Sequence, residues 1–235
     1  PVRSGAERKI CHIITRLDLG GSAENTLLTA IGLQSRGYRV DVVCGNSENP
    51  ASPNEERAAA CGVRIIRIAE LVRPISPIRD LRALIRLLFL LRRNHYDLLH
   101  THTSKAGIVG RIAGYLARVP VVVHTPHGHI FYGYFSTLMT GVFTRLERIV
   151  TRGTHALITL TNKEKEDYLK RTIGTAGRIY PILSGIDLSA YQSIAGQRDQ
   201  IRISLGLSSA HFVVGTVARL VPVKNHALII DAAAL

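Results

Sequence analysis

The sequence is short of acidic residues, of cysteines and of long apolar runs. It holds 17 Asp and Glu residues against 30 Lys and Arg residues, which gives a formal net charge of +13. Such a surplus of positive charge favours polyanionic partners: nucleic acid, nucleotide phosphates or an anionic membrane surface. Net charge alone leaves these three partners open.

The three cysteines and the missing apolar runs exclude several classes of protein. Cys11, Cys44 and Cys61 have no C-x-x-C spacing, so neither a zinc ribbon nor a disulfide framework is indicated, and a cytoplasmic location fits best. No apolar run approaches the roughly 18–20 residues that cross a bilayer, so we expect any membrane contact to be peripheral. The chain opens on Pro1 without a signal-peptide pattern, and residues 231–235 begin a helix without a stop signal. We therefore expect a fragment at both ends.

Short β-branched runs alternate with amphipathic stretches along the chain. This alternation predicts an α/β fold with a Rossmann-like parallel sheet and helices on both faces. Ser22 is predicted to cap a helix that Gly37 ends, and residues 161–164 form a capping box. The predicted strands are residues 9–14, 38–44, 63–68, 97–101, 120–124, 155–159 and 179–183.

The domain organisation follows from this alternation. We assign residues 1–185 to one Rossmann-like domain and residues 186–210, with a basic helix near 194–205, to a linker. Residues 211–235 are interpreted as the incomplete start of a second Rossmann-like domain, with a strand at 212–217, a loop and the start of a helix.

Two adjacent glycines, Gly20 and Gly21, follow the first predicted strand. Adjacent glycines let a ligand approach the backbone, and the helix that follows offers free N–H groups to an anion. A tight turn without a ligand explains the pair equally well. The G-x-G-x-x-G pattern is absent here, which disfavours a nicotinamide site.

Six arginines lie between Arg73 and Arg93. At helical spacing, Leu81, Leu84, Ile85, Leu88 and Leu91 form the predicted core-facing side, while Phe89 and Leu90 border a basic stripe. A solvated face and an interfacial helix that touches a membrane are both possible. The basic stripe consists of Arg79, Arg82, Arg86 and Arg93.

Five histidines fall between His100 and His129, at the ends of two predicted strands. The carboxyl edge of a parallel sheet, where ligands bind, would bring both groups together. His100 and His102 point to one face and could hold a metal, but no carboxylate accompanies them at suitable spacing, so no metal site is predicted. Structural histidines are the default for most of the five.

Two further segments suggest phosphate binding at first sight. Gly107, Gly110 and Gly114 lack the terminal G-K-[S/T] of a phosphate loop, and their helical spacing favours close packing of a helix on the sheet. Arg219 and Lys224 follow the strand predicted at 212–217 and precede a helix, which suits a diphosphate.

Taken together, these residues resemble the retaining GT-B glycosyltransferases of glycosyltransferase family 4 over the whole chain. Gly20-Gly21-Ser-Ala-Glu-Asn-Thr-Leu-Leu is similar to the family's first turn, and residues 97–107 are similar to a segment of bacterial capsule and exopolysaccharide transferases. Thr125-Pro-His127-Gly128 resembles the loop that bears the family's active-site histidine. Arg219 and Lys224 resemble its donor-diphosphate pair.

The resemblance implies transfer of a sugar from a nucleoside diphosphate-sugar donor to a saccharide or lipid-linked acceptor in cell-surface polysaccharide synthesis. No cofactor or metal is implied, nucleic acid is not a partner, and the enzyme would lie on the inner face of the membrane. His127 would contact the reacting sugar, and Gly20, Gly21, Arg219 and Lys224 would contact the diphosphate. The family's two glutamates would lie beyond Leu235, so this fragment is expected to be inactive by itself.

Two other classes remain open. A nucleotide-sugar epimerase shares the fold but would need acid/base carboxylates, and no convincing pair is present. A non-catalytic module that binds anionic membrane or nucleic acid would explain the charge but not the ordered motifs.

Overall fold

The computed structural model describes residues 8–47, 52–128, 137–192, 194, 196–218, 220 and 224–234. The chain divides into two compact units, Pro1–Ile186 and Asp187–Leu235. The predicted functions of the linker and of the second domain are not tested by this division and stay predictions.

The first unit is built on a seven-stranded sheet with the order β3-β2-β1-β4-β5-β6-β7. Every neighbouring pair is parallel, as expected when helices alternate with strands. All seven predicted strands are confirmed, with ends shifted by no more than two residues. The strands are β1 Lys9–Ile13, β2 Arg39–Cys44, β3 Arg64–Arg67, β4 Leu98–His102, β5 Val121–Thr125, β6 Ala156–Thr159 and β7 Ile179–Pro181.

Helices cover both faces of the sheet, as predicted. One core cluster joins Ile10 and Val42 of the sheet to α1 and α2, and another joins Ile13 and Leu99 to α3 and α4. Because side chains of a strand alternate between faces, we call these the α1 face and the α4 face. The helices of the first unit are α1 Gly21–Gln34, α2 Asn54–Ala60, α3 Pro77–Asn94, α4 Ser104–Leu116, α5 Thr137–Thr151 and α6 Asn162–Lys170.

The glycines of α4 face the sheet at close range. A Cβ on Gly107 would collide with the ring of His124, one on Gly110 would lie 2.9 Å from Cγ2 of Thr101, and one on Gly114 would collide with Leu99. The prediction that these glycines let the helix pack closely on the sheet is confirmed.

Of the two predicted helix caps, the one at Ser22 was wrong and the one at Thr161 is formed. Gly20, not Ser22, is the N-cap of α1, and Ser22 lies inside the helix. The cap prediction was wrong because the extended backbone of Gly20 already ends the turn, so the helix begins one residue before Ser22. At α6 the Thr161 side chain accepts from Glu164 N–H, as predicted, while Glu164 accepts from Leu160 N–H at 2.6 Å.

The second unit contains three helices among its described residues, α7 Ser189–Gln192, α8 Arg198–Ser204 and α9 His226–Ala233. The basic helix predicted near 194–205 corresponds to α8, and the predicted helix start corresponds to α9. The strand predicted at 212–217 is not formed, and these residues are exposed. An isolated strand leaves its backbone groups unpaired, so apolar character alone does not produce one.

Candidate functional site

The carboxyl ends of three adjacent strands form the candidate site. β1 runs towards the Gly20–Gly21 turn, β4 ends at His102, and β5 is followed by the loop that holds His127. Since all three strands are parallel neighbours in the order β1-β4-β5, their ends meet at one edge of the sheet. The structure therefore places the glycine turn and His127 at the same edge, with β4 between them.

Two residues at this edge have left-handed backbones. Thr103 has φ 62° and His127 has φ 57°, an uncommon conformation for residues other than glycine. The other positive-φ residues of this kind lie at helix boundaries: His95, Arg118 and Thr172 follow helices, and Asn225 precedes α9. Thr103 is likewise a helix boundary, the N-cap of α4, but both Thr103 and His127 also follow strands at the carboxyl edge of the sheet. Backbone strain of this type clusters at ligand sites.

Three histidines form a hydrogen-bonded line across the α1 face. Nδ1 of His12 lies 2.9 Å from Nε2 of His102, and Nδ1 of His102 lies 2.8 Å from Nε2 of His127. The rings are stacked, with centroids 5.2 Å and 5.1 Å apart. The line connects the middle of β1, through the end of β4, to the loop after β5.

Burial keeps these imidazoles neutral. It lowers the pKa of His12 and that of His127 from 6.5 to about 4. Burial also lowers the pKa of His100 and His102 well below 6.5, and the other histidines lower it further. A neutral imidazole donates one hydrogen bond and accepts one, so at neutral pH the line carries protons but no net charge.

The same cluster contains the described residues that could hold a metal ion. His12, His100 and His102 each offer one ring nitrogen within 4.8 Å of the others. In this structure Nδ1 of His12 and Nε2 of His102 already share a hydrogen bond. Nε2 of His100 lies 2.8 Å from Oγ1 of Thr125. The sequence prediction that no metal is used stays a prediction.

The glycine turn is open on its outer side. Gly20 and Gly21 are exposed. A Cβ on Gly20 would meet only the carbonyl oxygen of Asp18, at 4.0 Å, and one on Gly21 would meet none of the described atoms within 4 Å. The turn thus leaves backbone N–H groups of the first turn of α1 accessible to a ligand.

A second polar network lies on the α4 face behind the candidate site. Nδ1 of His124 lies 2.9 Å from Oγ1 of Thr101, and its Nε2 lies 3.7 Å from Glu147. Arg111 donates two hydrogen bonds of 2.7 Å to the carboxylate of Glu147, and both side chains are 2% exposed. Burial lowers the pKa of His124 well below 6.5, and Arg111 adds to this effect.

Three of these residues escaped the sequence analysis. His12 lies opposite His100 in the β1–β4 register, and a polar residue in the middle of an apolar strand is the signal that marks it. Arg111 and Glu147 are 36 residues apart, and nothing in the sequence pairs them.

The basic stripe of α3 is exposed, but its predicted core side was partly wrong. Arg79, Arg82, Arg86 and Arg93 are all exposed. The buried residues are Ala83, Leu87 and Leu91, because α3 packs beside α4 and the side that it buries is rotated from the predicted one. Leu81 and Ile85, predicted to face the core, are exposed instead, beside Ile78 and Phe89.

The second predicted phosphate contact is only partly visible. Lys224 is exposed shortly before α9, whereas Arg219 lies outside the described residues. Their pairing on a diphosphate stays a prediction.

Comparison with known proteins adds to this geometry. The model of Glycosyltransferase Family 4 matches residues 19–190. The chain is 34% identical over 225 residues to UDP-Gal:alpha-D-GlcNAc-diphosphoundecaprenol alpha-1,3-galactosyltransferase of Escherichia coli, covering 96% of this chain and 57% of that protein. It is 25% identical over 228 residues to D-inositol 3-phosphate glycosyltransferase of Rhodococcus opacus, covering 92% of this chain and 50% of that protein. The chain thus spans about half the length of these relatives.

Solved structures show the same fold. A glycosyltransferase from Rickettsia africae has a TM-score of 0.69 at 15% identity, covering 97% of this chain and 57% of that one. Sucrose-phosphate synthase from Thermosynechococcus elongatus has a TM-score of 0.67 at 20% identity, covering 97% and 60%. The predicted α/β class and Rossmann-like parallel sheet of a GT-B protein are confirmed.

Proposed function

Since the chain belongs to glycosyltransferase family 4, we propose that it forms the acceptor-side part of an enzyme that moves a sugar from a nucleoside diphosphate donor to an acceptor, with retention of configuration. The observation that carries the proposal is His127, a partly buried, neutral histidine with a left-handed backbone at the carboxyl edge of the sheet. A preorganised polar group at such an edge can hydrogen-bond a reacting sugar.

The donor diphosphate is assigned to the glycine turn. Gly20 and Gly21 leave room for close approach, and the N-terminus of α1 supplies N–H groups and a positive dipole end. Arg219 and Lys224 are proposed to neutralise the same diphosphate as it leaves. Neither a cofactor nor a metal is part of the proposal.

The acceptor is proposed to be lipid-linked or a saccharide of a cell-surface polysaccharide. The Escherichia coli relative is named for an acceptor joined to diphosphoundecaprenol, and α3 has a face that suits a membrane. Ile78 and Phe89 are 68% and 65% exposed beside the exposed arginines of the stripe, a combination typical of interfacial helices. None of the helices in the described ranges is long and apolar enough to cross a bilayer. The contact that we propose is peripheral, on the cytoplasmic face.

The reaction is tested with a protein of the relatives' full length. We expect sugar transfer from a nucleoside diphosphate-sugar to a polyprenyl-diphosphate saccharide, with the anomeric configuration kept, as read by NMR of the product. Turnover of the nucleotide sugar without an acceptor would favour an epimerase instead, and absence of nucleoside diphosphate binding in calorimetry would contradict both enzymes.

The 235-residue chain alone is proposed to bind a nucleoside diphosphate weakly and to transfer no sugar. The support is that residues 212–217 form no strand, so the neighbouring basic residues have no sheet to hold them. Sugar transfer by this chain would contradict the proposal.

Membrane contact is tested by sedimentation with liposomes. Replacing Arg79, Arg82 and Arg86 by Gln should weaken binding to anionic liposomes, since each basic residue near such a surface contributes about 1 kcal/mol. A matched variant loses the same charge elsewhere, at the exposed Arg36, Arg39 and Arg178. Equal losses in the two variants would reject a specific role for α3.

A further inference from the structure

In the hydrogen-bonded line of His12, His102 and His127, the number of N–H groups per ring decides which ring donates and which accepts. His102 lies in the middle and uses both ring nitrogens, Nε2 towards His12 and Nδ1 towards His127. A neutral imidazole has one N–H and one bare nitrogen. If His102 accepts from His12, it must donate to His127, and if it donates to His12, it must accept from His127. The two hydrogen bonds therefore reverse together or not at all.

The far end of the line selects one direction. Nε2 of His12 is buried and has no hydrogen-bond partner within the described part of the chain. If the bonds ran towards His12, this nitrogen would carry a buried N–H without an acceptor. If they run towards His127, it carries only a lone pair. Orphaned buried N–H groups are the rarer of the two, so the protons run from His12 through His102 to His127.

We propose that His12 and His102 are positioning residues that hold His127 as the Nδ1–H tautomer and fix the plane of its ring. His102 donates to Nε2 of His127, which leaves Nδ1 of His127 with the proton. Across the described ranges no residue hydrogen-bonds to this Nδ1, so the N–H is available to a ligand oxygen. This assignment rests on the proposed function, in which His127 contacts the reacting sugar.

The arrangement ties a loop residue to the rigid sheet. His12 and His102 belong to neighbouring strands, and both are 0% exposed, so neither ring can turn freely. His127 lies on a loop, where the position of a side chain depends on what supports it. The tautomer of a histidine is set by the bond that its other nitrogen makes, and here that bond starts in the core. Burial lowers the pKa of all three rings below 6.5, which keeps the line neutral at pH 7.

The test reads the tautomer directly, by nitrogen NMR of the 235-residue chain with ¹⁵N-labelled histidine. The wild-type chain should show His127 with a protonated Nδ1 and a bare Nε2. The His102→Asn variant keeps an amide nitrogen where Nδ1 was and should keep this tautomer. The His102→Gln variant places its amide nearer the former Nε2 position, so it should release His127 to the Nε2–H form.

A matched control lies on the same strand. His100 bonds Thr125 rather than the line, so His100→Gln should leave the His127 tautomer unchanged. A wild-type His127 protonated at Nε2 would overturn the proposal without any variant, even if the variants failed to fold. An unchanged tautomer in His102→Gln would overturn it as well.

Activity of the full-length protein gives the second reading. His102→Gln should lower kcat about tenfold, the scale of one lost hydrogen bond, with KM for the donor changed much less. In a His127→Ala background the same change should have no further effect, because both act through one group. If the tautomer is as expected but no sugar transfer occurs, the proposed function fails and the positioning role stands. If transfer occurs but the wild-type tautomer is Nε2–H, only the positioning role fails.

Discussion

Strands β4 and β5 carry histidines on both faces of the sheet, and the two sets have different surroundings. On the α1 face, His100 and His102 contact other neutral imidazoles, and the line from His12 ends at His127 on the edge. On the α4 face, His124 lies between Thr101 and the buried Arg111–Glu147 ion pair. The residue type is the same and β4 and β5 are neighbours in the sheet, although His100 and His102 belong to β4 and His124 belongs to β5.

The difference between the faces lies in how each network ends. On the α4 face both oxygens of Glu147 accept from Arg111, and Nε of Arg111 donates to the Gly107 carbonyl. This network is closed within the core and joins α4 to α5. On the α1 face Nε2 of His12 has no hydrogen-bond partner among the described residues, and the other end of the line reaches His127 at the carboxyl edge of the sheet. A closed network favours a structural role, and an open one favours a functional role.

The largest expected effect comes from a substitution that breaks the closed network of the α4 face. Glu147→Ala should lower the free energy of unfolding by about 3–5 kcal/mol, since it leaves the Arg111 charge buried and unpaired. Urea denaturation of the 235-residue chain measures this. Replacing both partners, Arg111→Met with Glu147→Leu, should recover most of the loss because no charge remains.

The control for this variant is a partly exposed ion pair. Glu70 contacts Arg86, whose side chain is 59% exposed, so Glu70→Ala should cost less than about 1 kcal/mol. Equal costs for Glu147→Ala and Glu70→Ala would contradict a special role for the buried pair.

The next effect concerns the open line. His127→Ala in the full-length protein should lower turnover by at least about a hundredfold, the scale of one preorganised polar group at a reacting centre. His95→Ala is the control, because His95 is exposed at the end of α3. Steady-state kinetics with the nucleotide sugar measures both variants. Equal effects would remove any special role of His127.

The contrast between the two faces also shows what the sequence could predict. Seven strands followed from short β-branched runs, because burial on both faces of a parallel sheet leaves a continuous apolar signal. Placing the histidines that end β4 and follow β5, His102 and His127, at one edge followed from strand ends alone. Both are properties of local pattern and of parallel topology.

What the sequence did not predict depends on contacts between distant residues. Arg111 and Glu147 meet only because α5 packs beside α4, and His12 meets His102 only because β1 pairs with β4. The strand predicted at 212–217 failed for the related reason that a strand exists through its partners. On α3, the shift of the core side to Ala83 and Leu87 depends on close packing that a helical wheel does not contain.

A third expected effect is a pH dependence of stability, to which the buried histidines of both faces contribute. Unfolded histidines titrate near pH 6.5, whereas burial lowers the folded pKa of His12, His100, His102, His124 and His127. Between pH 6.5 and about 4 the unfolded chain therefore binds more protons, so stability is lost as the pH falls through this window. Above it both states are neutral and the contribution is flat. Each histidine adds at most about 1.4 kcal/mol per pH unit.

Urea denaturation at pH 7.5, 6.5 and 5.5 measures this slope. His124→Gln and His102→Gln should each reduce it by a similar amount, although only His102→Gln should reduce catalysis. A stability that stays constant from pH 7.5 to 5.5 would show that these histidines are not buried in the neutral form.

The smallest expected change in stability comes from replacing a glycine of the Gly20–Gly21 turn, and it contrasts with replacing a glycine of α4. Gly21 is the first residue of α1, and its added Cβ would meet none of the described atoms within 4 Å. Gly21→Ala should leave stability unchanged or raise it by up to about 1 kcal/mol, because alanine favours a helix. Gly107→Ala should instead destabilise the chain by about 1–3 kcal/mol, since its Cβ collides with the His124 ring.

Nucleotide affinity should rank the variants Gly21→Ala and Gly107→Ala in the opposite order from stability. If the diphosphate approaches the Gly20–Gly21 turn, the new methyl group of Gly21→Ala occupies its path, and calorimetry should show weaker binding of a nucleoside diphosphate despite unchanged or higher stability. Gly107 lies on the far face of the sheet, so Gly107→Ala should bind the nucleotide as the wild type does wherever it stays folded. A Gly21→Ala variant that binds with wild-type affinity would remove the diphosphate from this turn, because no other property of the variant could hide the collision.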